Sequence, residues 1–327
     1  MPPEPRPILV GDVGGTHARL ALSADPSGPL DHRIDLTGEF PDFRAVLERY
    51  LELTGLARLP ERAVIAVAGP VIAGEVRFTN RNWLLRETQL QGFGLTTVRL
   101  INDFVALAWA AERLGACDLR AIGPEVPGLE GGTVSIVGAG TGFGVSCLAR
   151  SGPNGRTVAL GTEGGHIAFA PSDECEIAVL RDLQRRFGRV SVERILSGPG
   201  LENLFTALQH AAGRAPEPLT AEQVVENARH GDSDCRETVR VFCSIYGSVA
   251  GDIALAHGAL GGVLIAGGIA PKIEAQLAGG AFRARFEDKG RLAPFVRAIP
   301  TRLVCNPDAA LLGAACADAS DGGRPAR

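Results

Sequence analysis

The chain has 327 residues, longer than one compact domain usually runs, so two bodies with separate cores are expected. Its apolar content of 45% and charged content of 21% are those of an ordinary globular protein, and its 42 glycines point to many tight turns. A formal net charge of -4 gives no overall attraction to nucleic acid or to an anionic membrane, and neither is expected as a partner.

The opening stretch, MPPEPRP, is polar and proline-rich rather than basic and then apolar, and no uninterrupted apolar run reaches membrane-spanning length, so a cytoplasmic location is expected. Residues 8–10 form a short apolar strand that runs into GDVGGT, residues 11–16. After it Ala18, Leu20 and Leu22 alternate with His17 and Arg19 at period two. A strand therefore follows the glycines, where a dinucleotide fingerprint or a P-loop would place a helix. Residues 41–53 carry helical spacing, 64–68 and 98–101 read as buried strands, and 104–114 as a helix. The hairpin design recurs at 134–148, where VSIV leads into GAGTGFG and VSCL, which predicts a duplicated α/β architecture. Val241, Ile245, Val249 and Ile253 recur every four residues, with Gly247 and Gly251 between them permitting close helix approach. That helix feeds a strand at 263–266, Gly267 and Gly268 precede another helical stretch, and Asn306 and Pro307 read as the N-cap and first position of a last helix. Segments 123–132, 152–156 and 213–220 read as surface loops. The cysteines, at 117, 147, 175, 235, 243, 305 and 316, show neither a C-x-x-C pair nor zinc spacing and read as buried free thiols in a reducing compartment.

Glycine-rich turns point backbone N–H groups inward and suit phosphate oxygens. GDVGGT adds Asp12, which can hold Mg²⁺ directly or through water, and Thr16, whose hydroxyl can donate to a phosphate. Either turn alone equally suits a tight hairpin; two facing one crevice favour a nucleotide. Asn102 and Asp103 stand at a strand-to-helix junction, where a carboxylate can meet a substrate but where both residue types are also preferred caps. The helix dipole is expected to lower the pKa of Asp103, leaving a weak base that suffices for late proton removal. In TEGGH, Glu163 and His166 flank a Gly-Gly turn and can converge on sugar hydroxyls, or simply form a hydrogen-bonded turn. On spacing alone Glu193 reads as an exposed helical charge.

The stretches ILVGDVGGTHARLAL, FTNRNW, INDFVALA, VGAGTGFGV, GTEGGHIAFAP, SVERILSGPGLENL, GGVLIAGGIAPKI and FRARFEDKGR together resemble the bacterial ATP-dependent glucokinase family over almost the whole length. The resemblance implies a two-lobed actin-like ATPase (ribonuclease H-like) α/β fold with a central cleft. A small domain would span 1–110 plus 301–327 and a large one 111–300. It implies phosphorylation of glucose to glucose 6-phosphate, the first step of glycolysis, with ATP and Mg²⁺, by a homodimer. Asp103 becomes the general base, and Asn102, Asp103, Glu163, His166 and Glu193 the sugar-binding residues. The ATP phosphates would be held by Gly11, Asp12, Val13, Gly14, Gly15 and Thr16 and by Gly138, Gly140, Thr141 and Gly142, with Gly267 and Gly268 near the adenosine. One departure is His17, where relatives often carry Asn. Rival readings are a broader hexokinase acting on mannose, fructose or an amino sugar, and, from another class, a silent sugar sensor or an actin-like assembly protein. The chain has neither the cysteine-rich zinc motif nor the N-terminal DNA-binding helix pair of the related repressor group.

Overall fold

The computed structural model describes residues 7–320 apart from Gly15, Thr16, Glu39, 79–82, Gly92, 151–155 and Pro216. Two compact units divide the chain, Met1–Gly115 with Asn306–Arg327, and Ala116–Cys305. In the first, β1 (Ile8–Val13), β2 (His17–Ser23) and β3 (Leu30–Thr37) form an antiparallel meander. Helix α1 (Phe43–Thr54) follows; its N-cap Asp42 accepts a hydrogen bond from Ala45 N, and it ends at Gly55 in the left-handed region. Strands β4 (Arg62–Val67), β5 (Glu75–Arg77) and β6 (Leu84–Arg86), helix α2 (Glu87–Gln91), strand β7 (Thr97–Asn102) and helix α3 (Asp103–Ala110) complete this part. The sheet order is β3-β2-β1-β4-β7, with β1, β4 and β7 parallel, while β5 and β6 pair as a separate ribbon. The apolar run of β4 is what a parallel strand covered on both faces requires.

The second unit contains β8 (Leu119–Ala121), β9 (Val134–Ala139), β10 (Phe143–Arg150), β11 (Thr157–Thr162), α4 (Glu174–Phe187), α5 (Gly198–Ala211), α6 (Ala221–His230) and α7 (Ser233–His257). After them come β12 (Gly262–Ala266), α8 (Glu274–Ala278), α9 (Ala281–Glu287), α10 (Ala293–Arg297) and β13 (Thr301–Val304). Its sheet runs β11-β10-β9-β12-β13-β8, repeating the first unit's succession of an antiparallel meander followed by parallel strands. The two glycine-rich hairpins therefore occupy equivalent places in two like sheets.

By length and composition α7 is apolar enough to cross a membrane, yet it runs through the core of the second unit. The Tyr246 ring meets Phe143, Phe242 and Phe282 edge-on. At Gly247 a Cβ would fall 1.9 Å from Phe282 O, so the backbone of α9 rests directly on α7, the close approach expected from the glycines. The chain returns to the first unit as α11 (Ala309–Ser320), which packs on α3.

Two boundaries differ from expectation. The helix after Asn102 ends at Ala110, and residues 111–113 continue as turns. The last helix starts at Ala309 because Asn306 Oδ1 accepts from Asp308 N at 2.8 Å, which makes a tight turn ahead of the helix where a cap was expected. All seven cysteines are free, but only Cys147, Cys235, Cys243 and Cys316 are buried as expected; Cys117, Cys175 and Cys305 are exposed. Four residues of the expected 152–156 loop lie outside the described residues.

Candidate active site

In the first unit, parallel pairing brings Val13, Val67 and Asn102 into register, so the ends of β1 and β7 carry Asp12 and Asp103 to one edge of the sheet. Asn102 is the N-cap of α3: its Oδ1 accepts from Phe104 N at 2.9 Å and Val105 N at 3.3 Å, while its Nδ2 donates to Gly69 O at 3.0 Å. Asp103, at the first helical position, accepts from Phe104 N at 2.9 Å through Oδ1. Capping thus falls to Asn102.

The expected lowering of the Asp103 pKa is overturned: burial first, and then the nearby Asp12 carboxylate, push it up to about 7. A helix end contributes ~1 kcal/mol at a surface, which cannot offset removal of a carboxylate from water beside a second one. Asp12 is likewise raised by burial, against the pull of Arg19, whose Nη1 donates to Asp12 Oδ2 at 3.0 Å. In the sequence Arg19 alternates as an ordinary polar position of a strand, with nothing in its near neighbours to mark it as the partner of Asp12. The hairpin register carried the signal, since Arg19 stands directly opposite Asp12 across β1 and β2.

Gly11 and Val13 lie within β1. Val13 belongs to the core, and a Cβ on Gly11 would come 2.8 Å from Ile65 Cδ1. Gly14 N donates to His17 O at 2.9 Å and closes the turn. Gly15 and Thr16 lie outside the described residues, as do residues 79–82 of FTNRNW.

In the second unit, β9 and β12 run parallel with Gly138 beside Ala266, which sets both glycine segments at the same sheet end. Gly140 N donates to Gly142 O at 2.8 Å and closes the turn that contains exposed Thr141. A Cβ on Gly140 would lie 3.9 Å from Gly268 N, so the two glycine segments adjoin. Gly267 has φ +83°, and a Cβ there would sit 2.4 Å from Ala139 O, so only glycine fits.

The TEGGH segment follows β11 and folds onto β10, where a Cβ on Gly165 would fall 2.0 Å from Phe143 O. Glu163 Oε2 and His166 Nε2 stand 3.9 Å apart, both side chains more than half exposed. Glu193 departs from its reading as an exposed helical charge. It sits half-buried in a short 3-10 turn, and its Oε2 accepts from Phe143 N at 2.8 Å. Spacing along the chain could not reveal this, because the partner is the strand that leaves the glycine turn. Val192 N donates to Ile167 O at 3.0 Å, joining the Glu193 turn to the TEGGH segment. The second unit thereby holds both Gly165 of the TEGGH segment and Glu193 against Phe143, next to the turn formed by Gly140, Thr141 and Gly142.

A family model described as Glucokinase matches residues 9–320. The chain belongs to the glucokinase family. Among family members, the glucokinase of Caulobacter sp. (strain K31) is 52% identical over 321 residues, covering 96% of this chain and 95% of that one. The crystal structure of a glucokinase from an Antarctic psychrotroph superposes with a TM-score of 0.85 at 34% identity, over 95% of this chain and 98% of that one. A ROK family glucokinase from Streptomyces griseus, in complex with glucose and AMPPNP, has a TM-score of 0.62 at 20% identity over 94% of this chain and 98% of that one, and bears on the fold.

Proposed function

We propose that Asp103 is the general base with which this glucokinase-family enzyme moves the γ-phosphoryl group of ATP onto the 6-hydroxyl of glucose. Family membership makes the chain a glucose kinase that uses ATP. The observation that carries the residue assignment is a half-buried carboxylate at a sheet edge, raised to about 7 by burial and by Asp12, where a base is suited to neutral pH. Asp103 takes the hydroxyl proton while the sugar oxygen bonds to the γ-phosphorus in line and the bond to the leaving oxygen of ADP breaks. Holding both reactants in this geometry can supply ~7–11 kcal/mol of the barrier.

Asn102, Glu163, His166 and Glu193 bind sugar hydroxyls in this reading. A buried donor or acceptor left unpaired by an analogue can give discrimination of ~10⁴ or more. Backbone N–H groups of GDVGGT and of the turn at Gly140, Thr141 and Gly142 receive the phosphates, with Gly267 and Gly268 near the adenosine. The glucose and AMPPNP held by the Streptomyces griseus protein support both ligands.

Magnesium is commonly bound by one or two carboxylates together with substrate phosphates. Asp12 fits the group, since it and Asp103 are two half-buried carboxylates near each other, of which Arg19 bonds to Asp12. Asp12 would hold the ion directly or through water, and the ion would offset charge on the triphosphate. The sheet order shared by the two units supports the actin-like ATPase (ribonuclease H-like) fold, with the units as its two lobes. A cytoplasmic homodimer is the assembly proposed from the family.

A matrix of sugars (glucose, mannose, fructose, an amino sugar) against ATP and polyphosphate, read by product formation, tests the substrates; glucose with ATP is expected to lead. Asp103→Asn should lower turnover ~10²-fold or more with glucose binding retained. Turnover near that of the natural enzyme would remove Asp103 from its role.

A further inference from the structure

Two hydrogen bonds tie the segment from Glu193 to Gly198 onto the second glycine turn: Glu193 Oε2 accepts from Phe143 N at 2.8 Å, and Gly198 N donates to Gly140 O at 2.8 Å. The segment is itself rigidly held. Ser197 Oγ donates to Glu193 O at 2.8 Å and accepts from Gly200 N at 3.0 Å, capping α5. Gly142 leaves room for the carboxylate, since a Cβ there would come 2.4 Å from Glu193 Oε2.

We propose that Glu193 is a positioning residue for ATP, its bond to Phe143 N holding the turn at Gly140, Thr141 and Gly142 in the shape that receives phosphates. This rests on the reading that the turn binds phosphate, and it adds a second duty to the sugar contact assigned above. A Gly-Thr-Gly turn loses much conformational freedom when a ligand orders it, and a turn ordered in advance binds without that loss. A carboxylate charge near a triphosphate is unfavourable in itself, so the value of Glu193 here is geometric, an acceptor oxygen at a fixed point.

Calorimetric binding of AMPPNP to sugar-free protein separates the possibilities, with melting temperature as the check on folding. Glu193→Ala should weaken the affinity by up to about tenfold, as loss of one hydrogen bond would. Glu193→Gln keeps an acceptor oxygen and should bind AMPPNP like the natural protein while its KM for glucose rises. Glu193→Met, which keeps the bulk without the acceptor, takes the place of the alanine variant if the latter does not fold. Gly140→Ala puts a methyl group where the phosphate would lie, with its nearest protein atom 3.9 Å away, and should lose affinity. If Gly140→Ala weakens binding and Glu193→Ala does not, the positioning role is overturned and the phosphate reading stands. If neither weakens it, the phosphate reading fails and takes the proposal with it. Equal loss in the alanine and glutamine variants would also overturn the proposal, because the charge would then matter and the bond would not.

Discussion

Replacing Asp103 by Asn removes a charge that burial opposes, so the variant should gain stability as it loses turnover, by an amount set by pH. The carboxyl titrates from a reference of 3.8 and in the folded protein at about 7. At 1.36 kcal/mol per pH unit that difference amounts to ~4 kcal/mol. Because the folded-state value lies above the unfolded one, the folded protein keeps the proton longer. The group costs nothing below about pH 4, its cost grows as the unfolded chain ionises, and it is complete above about pH 7. Asn keeps the size and an acceptor for Phe104 N but gives up the favourable charge at the helix start, worth up to ~1 kcal/mol. A net gain of ~3 kcal/mol is expected at pH 8, shrinking to ~1.5–2 kcal/mol at pH 5, where the folded carboxyl is already protonated and no charge at the helix start is lost. Both tryptophans, Trp83 and Trp109, lie in the unit that contains Asp103, so urea unfolding followed by their fluorescence reports on it. A variant less stable than the natural protein at pH 8, or equally more stable at both pH values, would refute the assignment of Asp103 as a carboxylate desolvated at a cost in stability.

The same pKa predicts that kcat/KM for glucose falls about tenfold per pH unit below about 7, as Asp103 takes up a proton. Asp12→Asn should move that midpoint to lower pH, because it removes the neighbouring charge that helps to raise Asp103; a pH–rate profile reads the shift. Gly247→Ala should destabilise the protein by ~1–3 kcal/mol in a melting experiment, since the added methyl meets the backbone of α9. Arg283 is 5% exposed and donates to Ile299 O, Arg297 O, Thr301 Oγ1 and Glu287. Arg283→Met should therefore cost ~3–5 kcal/mol in chemical denaturation, by stranding the acceptors of Ile299, Arg297 and Thr301, while Glu287 keeps its bond from Arg297 Nε at 3.2 Å.

Much of the scaffold was legible. Alternation after GDVGGT announced a strand, and Phe143–Arg150 follows the second glycine turn in the same way, because strand periodicity is written in consecutive residues. The junction at Asn102 and Asp103 was also visible, but not the division of labour within it. Either residue type can cap, and only the bonds of Asn102 Oδ1 to Phe104 N and Val105 N settle which one does. On spacing alone Glu193 reads as an exposed helical charge, because its hydrogen-bond partner, Phe143, is distant in the chain. The pairing of Arg19 with Asp12 follows from the hairpin register, which sets the two opposite each other.

The sequence by itself determined the elements, their turns and the kinds of chemistry on offer, since propensity, capping and periodicity act between near neighbours along the chain. Tertiary structure alone decided the charge state of Asp103 and the anchoring of Glu193. Both depend on how much water is excluded and on which groups from other strands face the carboxylate, and neither quantity exists until β1 lies near β7 and the Glu193 turn lies against β10.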